Sequence, residues 1–163
     1  MVQSIPDLLK RAAQRLPPID SKEFGTDFDK FANARVVLNG DVSHGTSEFY
    51  RARAAITKHL ITNHGFNLVC IEGDWPDARA IDEQVRPKAQ STQPFSLRNS
   101  KVFPHFPRWM WRNQEFQDFL TWLKQHNATQ HSTTGIYGLD LYSMGASISA
   151  VIQYLDAHDP ETA

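Results

Sequence analysis

The stretch VVLNGDVSHGTSEFYRAR, residues 36–53, decides how the chain is read. A short apolar run ends at Gly40. A polar loop then carries Asp41, Ser43 and His44 to Gly45, and from Thr46 onward the residues alternate with helical spacing. The pattern predicts strand, loop, helix. Such a junction needs only a turn residue and a cap. An acid, a serine and a histidine between two glycines exceed that need and mark the loop as a candidate site.

The same logic extends along the chain. IPDLLKRAAQRL (5–16) predicts a short amphipathic helix, and residues 17–34 a connection with one helical turn. RVVLNG (35–40) predicts a first strand, followed by a helix over 46–64 with Gly65 as its stop. FNLVCIEG (66–73) reads as a second buried strand, then WPDARAIDEQV (75–85) as a helix with Pro76 and Asp77 in its first turn. Residues 86–108 are polar and proline-punctuated, a long loop or lid. NQEFQDFLTWLKQHN (113–127) predicts a helix with Phe116, Phe119, Leu120 and Leu123 on one face. TGIYGLDLYS (134–143) holds a third strand. The last helix (143–158) is expected to be capped by Ser143 and to bury Ile148, Val151, Ile152 and Leu155.

Strands alternating with helices predict an α/β fold: an open parallel sheet with flanking helices and both sheet faces covered. Residues 1–34 form an N-terminal helix and connection, and 35–163 the α/β domain. In such sheets ligands bind outside the carboxyl ends of the strands. Those ends carry Asp41, Ser43 and His44, then Glu72 and Asp74, then Asp140.

The whole chain has 163 residues, 40% hydrophobic and 21% charged, with a net charge of −1. These values fit one globular domain and give no support for a nucleic-acid or acidic-membrane partner. No apolar run approaches the roughly 20 residues that span a bilayer, and no signal peptide is evident at the start. Cys70 is the lone cysteine, which excludes an intrachain disulfide or a cysteine-rich zinc site. It is expected to be a buried strand residue in a reducing compartment, so the expected location is cytoplasmic.

The loop GDVSHGTS (40–47) has phosphate-loop glycine spacing, but Thr46 stands where the essential lysine belongs. It is not a serine nucleophile elbow either, because Ser43 lies three residues after Gly40. What survives is an anion- or oxyanion-binding helix start at Gly45 and Thr46, set against simple capping by Ser43 or Thr46. On the following helix Arg53 falls within the stripe of Phe49, Ile56 and Leu60. There it needs a carboxylate, with Asp41 and Glu72 as candidates, unless it reaches solvent. Glu72 lies too far ahead of the next helix to cap it, whereas Asp74 is well placed to do so.

FPRWMWRN (106–113) mixes aromatics with arginines. Trp109 and Trp111 there suit base stacking, an aromatic hinge, or the wall of an apolar pocket. His44, Asp41, Glu72 and Asp140 could ligate a divalent ion, but no pair has metal-motif spacing, so no cofactor is expected. His59 and His64, near a helix C-terminus, read as structural. The remaining histidines carry no constellation.

GDVSHGTSEFYRARAAITKHLI, IEGDWPDA, WMWRN and YGLDLYS, in this order and spacing, resemble the N-terminal part of the erythromycin esterase family, from about Val36 to Leu155. The resemblance implies an esterase fold unrelated to the serine esterases, with water as the nucleophile. It implies His44 as general base, with Arg53 and Glu72 in the same site. Where the family usually has glutamate after the loop glycine, this chain has Asp41, which draws the carboxylate back. Family members are longer and have a second active-site histidine beyond residue 163, so the chain is expected to be a fragment or minimal relative.

The expected reaction is ester or lactone hydrolysis, macrolide inactivation being one instance. His44 takes the proton of water, Glu72 or Asp41 orients the imidazole or the water, Arg53 holds the carboxylates, and amides near Thr46 bind the oxyanion. The expected partner is a small-molecule ester, with a second chain or a missing C-terminal region to complete the site. The alternatives are a non-catalytic binding or pairing protein and a metal-dependent hydrolase.

Overall fold

The computed structural model describes residues 4–40, 42–86, 96–98, 100–105 and 108–159. The chain divides into two compact units, Met1–Gly65 and Phe66–Ala163. No helix among the described residues is long and apolar enough to cross a membrane.

The first unit is helical. Helix α1 (Ile5–Ala12) starts at Ser4, whose hydroxyl accepts from the Asp7 amide. A 3₁₀ helix spans Gly25–Phe31, where the sequence predicts one helical turn. Helix α2 (Ser47–His64) buries Tyr50, Ile56, Leu60 and Ile61, and ends at Gly65 in the left-handed conformation, as expected. The expected first strand, residues 35–40, does not form. The unit holds no second described strand to supply a ladder, and Val36 and Leu38 are 73% and 90% exposed. An isolated strand cannot offset its ordering cost with hydrogen bonds.

The second unit contains the sheet. Strand β1 (Leu68–Asp74) pairs in parallel with β2 (Gly135–Asp140). Between them in the chain run α3 (Trp75–Val85), which packs on both strands, and α4 (Gln114–Ala128), which packs on α3. Helix α5 (Met144–His158) follows β2. The core comprises Ile71, Ile81, Val85, Leu97, Phe116, Leu120, Leu123 and Ile136, so the predicted stripe of α4 is buried as expected.

Two polar side chains fix the amino end of β2. Asp82, 6% exposed, accepts from the Ile136 amide at 2.9 Å and is paired with Arg86. Asn127, 5% exposed, donates to the carbonyls of Val85 (2.9 Å) and Thr134 (3.0 Å) and accepts from the Thr134 amide. Each buried group is satisfied, so neither carries the penalty of a lone buried dipole or charge.

Four expectations are corrected here. The sheet has two strands among the described residues and helices against one face. Leu68, Cys70, Tyr137 and Leu139 on the other face are exposed, so β1 is not a doubly covered strand and Cys70 is not buried. Helix α5 buries none of its residues, and Ile148, Val151 and Ile152 are all about half exposed or more. Ser143 stands at its N-cap position but makes no capping bond through its side chain.

The strand register breaks between Ile71 and Asp74. At this point Gly138 lies against backbone: a Cβ on it would come within 2.4 Å of the Gly73 carbonyl oxygen and 2.7 Å of that of Asp74. Gly138→Ala is therefore expected to lower unfolding free energy by about 1–3 kcal/mol, as overpacking does. Gly145→Ala, where a Cβ meets nothing within 4 Å, is expected to be neutral or to gain up to about 1 kcal/mol from helix propensity. Urea unfolding followed by circular dichroism measures both.

Candidate active site

The carboxyl edge of the parallel pair collects acids, as an open α/β sheet requires. Asp74 and Asp140 are register partners at the ends of β1 and β2. Asp74 is 5% exposed and accepts from the Ser143 amide at 3.2 Å through Oδ1. Its Oδ2, the Oδ2 of half-buried Asp140, and the Ser143 hydroxyl are buried without a hydrogen-bond partner among the described residues. Buried polar atoms are nearly always hydrogen-bonded, so three unpartnered oxygens side by side single out this edge as a candidate site. Asp74 holds the N-cap position of α3 but makes no side-chain capping bond, contrary to expectation. Its carboxylate is turned to the loop after β2 instead.

Glu72 is exposed, and its backbone oxygen accepts from the Trp111 indole at 2.7 Å. Trp111 is itself buried, tilted against Phe116 at 4.9 Å and near Phe103 at 6.3 Å. It acts as a pillar under the Glu72 backbone. Arg112 supports that hinge by donating to the carbonyls of Arg98, Ser100 and Val102. Trp109 is 49% exposed.

Sequence reading missed Asp77. It lies in the first turn of α3, three residues after Asp74, and was taken only as complement to the helix dipole. Burial pushes its carboxyl above the usual value, the Phe103 amide that donates to it opposes this, nearby Asp74 adds to it, and His105 opposes it. Phe103 holds φ at 49°, an outlier for a bulky residue. The strained Phe103 backbone thus presents its amide to a carboxyl whose charged form burial disfavours. No spacing signal in the sequence distinguishes Asp77 from an ordinary first-turn acid.

A cleft of ≈ 600 Å³ opens between α3 and β2, lined by residues that include Trp75, Arg79, Arg86 and Tyr137. Its cations are already paired, Arg79 with Glu83 and Arg86 with Asp82 and the Tyr137 hydroxyl.

The loop residues lie in the first unit. His44 is half-buried. The Gly45 amide donates to the Ser43 hydroxyl at 3.2 Å, so it is engaged within the loop. Thr46 is the N-cap residue of α2 without a capping bond from its side chain, and Ser43 does not cap the helix either. Arg53 is half-buried, with its guanidinium 4.6 Å above the Tyr50 ring. Asp41 lies outside the described residues.

The family model described as erythromycin esterase matches residues 61–163. That span includes Glu72, Trp109, Trp111 and Asp140; the SHGT loop precedes it. The "Putative hydrolase YbfO" of Bacillus subtilis (strain 168) is 24% identical over 133 residues, which cover 79% of this chain and 27% of that protein. A crystal structure of a succinoglycan biosynthesis protein shares 23% identity at a TM-score of 0.69, covering 99% of this chain and 41% of the other. A Bacillus cereus protein of known structure shares 20% identity at a TM-score of 0.62, covering 95% and 37%. The two structures establish likeness of fold. The chain thus spans about a quarter to two-fifths of the length of these relatives.

The raised Asp77 carboxyl gives a pH test. An acid whose folded pKa lies above its unfolded value contributes stability that is full below the unfolded pKa and lost as pH rises through the folded one. Asp77→Asn keeps an acceptor for the Phe103 amide and removes this loss. The variant is expected to gain stability relative to the parent on going from pH 4 to pH 7. Urea midpoints at the two pH values, compared between the proteins, measure it.

Proposed function

Because the chain belongs to the erythromycin esterase family, we propose that it carries out the water-dependent cleavage of an ester or lactone, with macrolide inactivation as one candidate reaction. The observation that carries this reading is the match of the erythromycin esterase model to residues 61–163, a span that holds Glu72 and Asp140 on the two parallel strands.

In the proposed reaction His44 accepts a proton from water as the water oxygen bonds to the carbonyl carbon. The tetrahedral oxyanion is held by first-turn amides of α2 at and after Thr46. Gly45 gives its own amide to Ser43, so its part is to shape the loop. The C–O bond then breaks, the leaving alkoxide regains the proton from His44, and acid and alcohol depart. Glu72 or Asp41 orients the imidazole or the water. Arg53 holds those carboxylates in place, and Asp140, Trp109 and Trp111 serve the substrate. The chemistry needs no cofactor beyond water.

A second reading is that of a non-catalytic binding or pairing protein. It is favoured by α5, none of whose apolar residues is buried. Light scattering of the purified chain distinguishes it, since a pairing protein runs above the mass of one chain.

His44→Ala is expected to lower turnover of aryl esters by about 10²–10⁴-fold, the usual worth of a general base, with an unchanged circular dichroism spectrum. Parallel assays of parent and variant, with a macrolide lactone included, provide the check. Equal turnover by the two proteins removes His44 from the mechanism.

A further inference from the structure

We propose that the first unit carries a divalent-metal site, suited to Zn²⁺, formed by Asp29, His59 and His64. It is separate from the residues assigned to ester hydrolysis and does not depend on that assignment.

The three residues come from two elements. Asp29 lies in the 3₁₀ helix, and both histidines lie on α2. Five residues along an α-helix turn through about 500°, leaving the two side chains about 140° apart around the axis. That is why the spacing carries no motif. His64, however, is the last residue of α2 before the left-handed Gly65, and its ring comes back to lie edge-on to that of His59, centroids 5.3 Å apart. Both Nε2 atoms then lie 2.6 Å from the same oxygen, Asp29 Oδ1. All three potential ligand atoms fall within 4.8 Å of one another.

The chemistry of this set matches a borderline ion. Two imidazoles and one carboxylate are a common zinc ligand set, with a fourth position left to water. Ligand atoms around a tetrahedral zinc stand about 3.3 Å apart, given bonds near 2.0 Å. The observed 2.6 Å separations therefore need to open by under about an ångström, and the separation of the two imidazole ligand atoms, within 4.8 Å, to close by at most about 1.5 Å. The carboxylate can supply the first of these movements: its side chain is 50% exposed, whereas those of His59 and His64 are 14% and 23% exposed.

The His59 ring is positioned by its surroundings. A Cβ on Gly25 would come within 2.6 Å of its Cγ, so the ring lies directly on the glycine backbone. Its Nδ1 is 3.0 Å from the Asn63 side-chain nitrogen. The Asn63 nitrogen also donates to the His59 carbonyl at 3.2 Å. Metal binding at Nε2 therefore requires the exposed Asn63 side chain to give up that bond and present its oxygen to an Nδ1–H. The same atoms without a metal make a hydrogen-bonded clasp between the 3₁₀ helix and α2, so the experiment must separate clasp from metal site.

The test is calorimetric titration of the tag-free full chain with ZnSO₄ and with MgCl₂, together with visible absorption on adding CoCl₂. One Zn²⁺ per chain, no Mg²⁺ binding, and Co²⁺ d–d bands of low-coordinate nitrogen and oxygen ligation are expected. Asn63→Ala should weaken Zn²⁺ binding about 10- to 100-fold, as loss of an outer-shell partner does. His64→Gln should weaken it further, while His126→Gln leaves it unchanged. Absence of Co²⁺ bands in the unmutated chain, or Zn²⁺ binding unaffected by His64→Gln, overturns the site and leaves the clasp. The Co²⁺ measurement stands even where a variant misfolds.

Discussion

No side chain fits at position 138, and the geometry of the strand ends follows from that. A Cβ at position 138 would meet the carbonyl oxygens of Gly73 and Asp74 at 2.4 and 2.7 Å, closer than real Cβ atoms approach. Over Ile71–Gly73 burial alternates as a regular strand requires: buried, exposed, buried. Asp74 should then be exposed like Glu72, two residues before it. It is buried instead, because the register breaks here and the backbone turns it inward beside Asp140. Bulges commonly re-aim a side chain next to a functional site. Here the bulge separates two acids of one strand into different roles, one facing water and one desolvated.

The opposite end of the pair is held by side chains. Asp82 reaches from α3 to the Ile136 amide, and Asn127 bridges the ends of α3 and β2. Parallel pairs cannot be closed by a tight turn, so their register must be set by the crossover elements. Polar groups with single satisfying positions set it more sharply than the surrounding Ile81, Val85 and Leu123, which would tolerate sliding. With the amino ends pinned and the carboxyl ends bulged, Asp74 and Asp140 have little freedom left to separate.

Local chemistry was the legible part of the sequence. Helix α3 spans Trp75–Val85 as read, because Pro76 and Asp77 mark its start. Helix α2 stops at Gly65 because the left-handed residue there was identifiable in advance. Long-range partnership was not legible. RVVLNG looks like any buried strand, yet strand character requires a neighbour, and sequence pattern does not supply one. Cys70 sits in an apolar run and is exposed because one sheet face is uncovered in this chain. Of the candidate site, the acids at the strand ends were found by topology alone. Asp77 and the convergence of His59 with His64 were not, since each depends on packing rather than spacing.

The uncovered surfaces are of one kind. Leu68, Cys70, Tyr137 and Leu139 form an apolar face on the sheet, and Ile148, Val151 and Ile152 a stripe on α5. Each follows the periodicity of an element built to be covered, two for the strands and near 3.6 for the helix. The chain spans 27% to 41% of the length of the relatives it matches. The two partnerless carboxylate oxygens follow the same logic on the polar side. Their desolvation is tolerable where a donor is to be received, just as the exposed stripes are tolerable where an apolar surface is to be received.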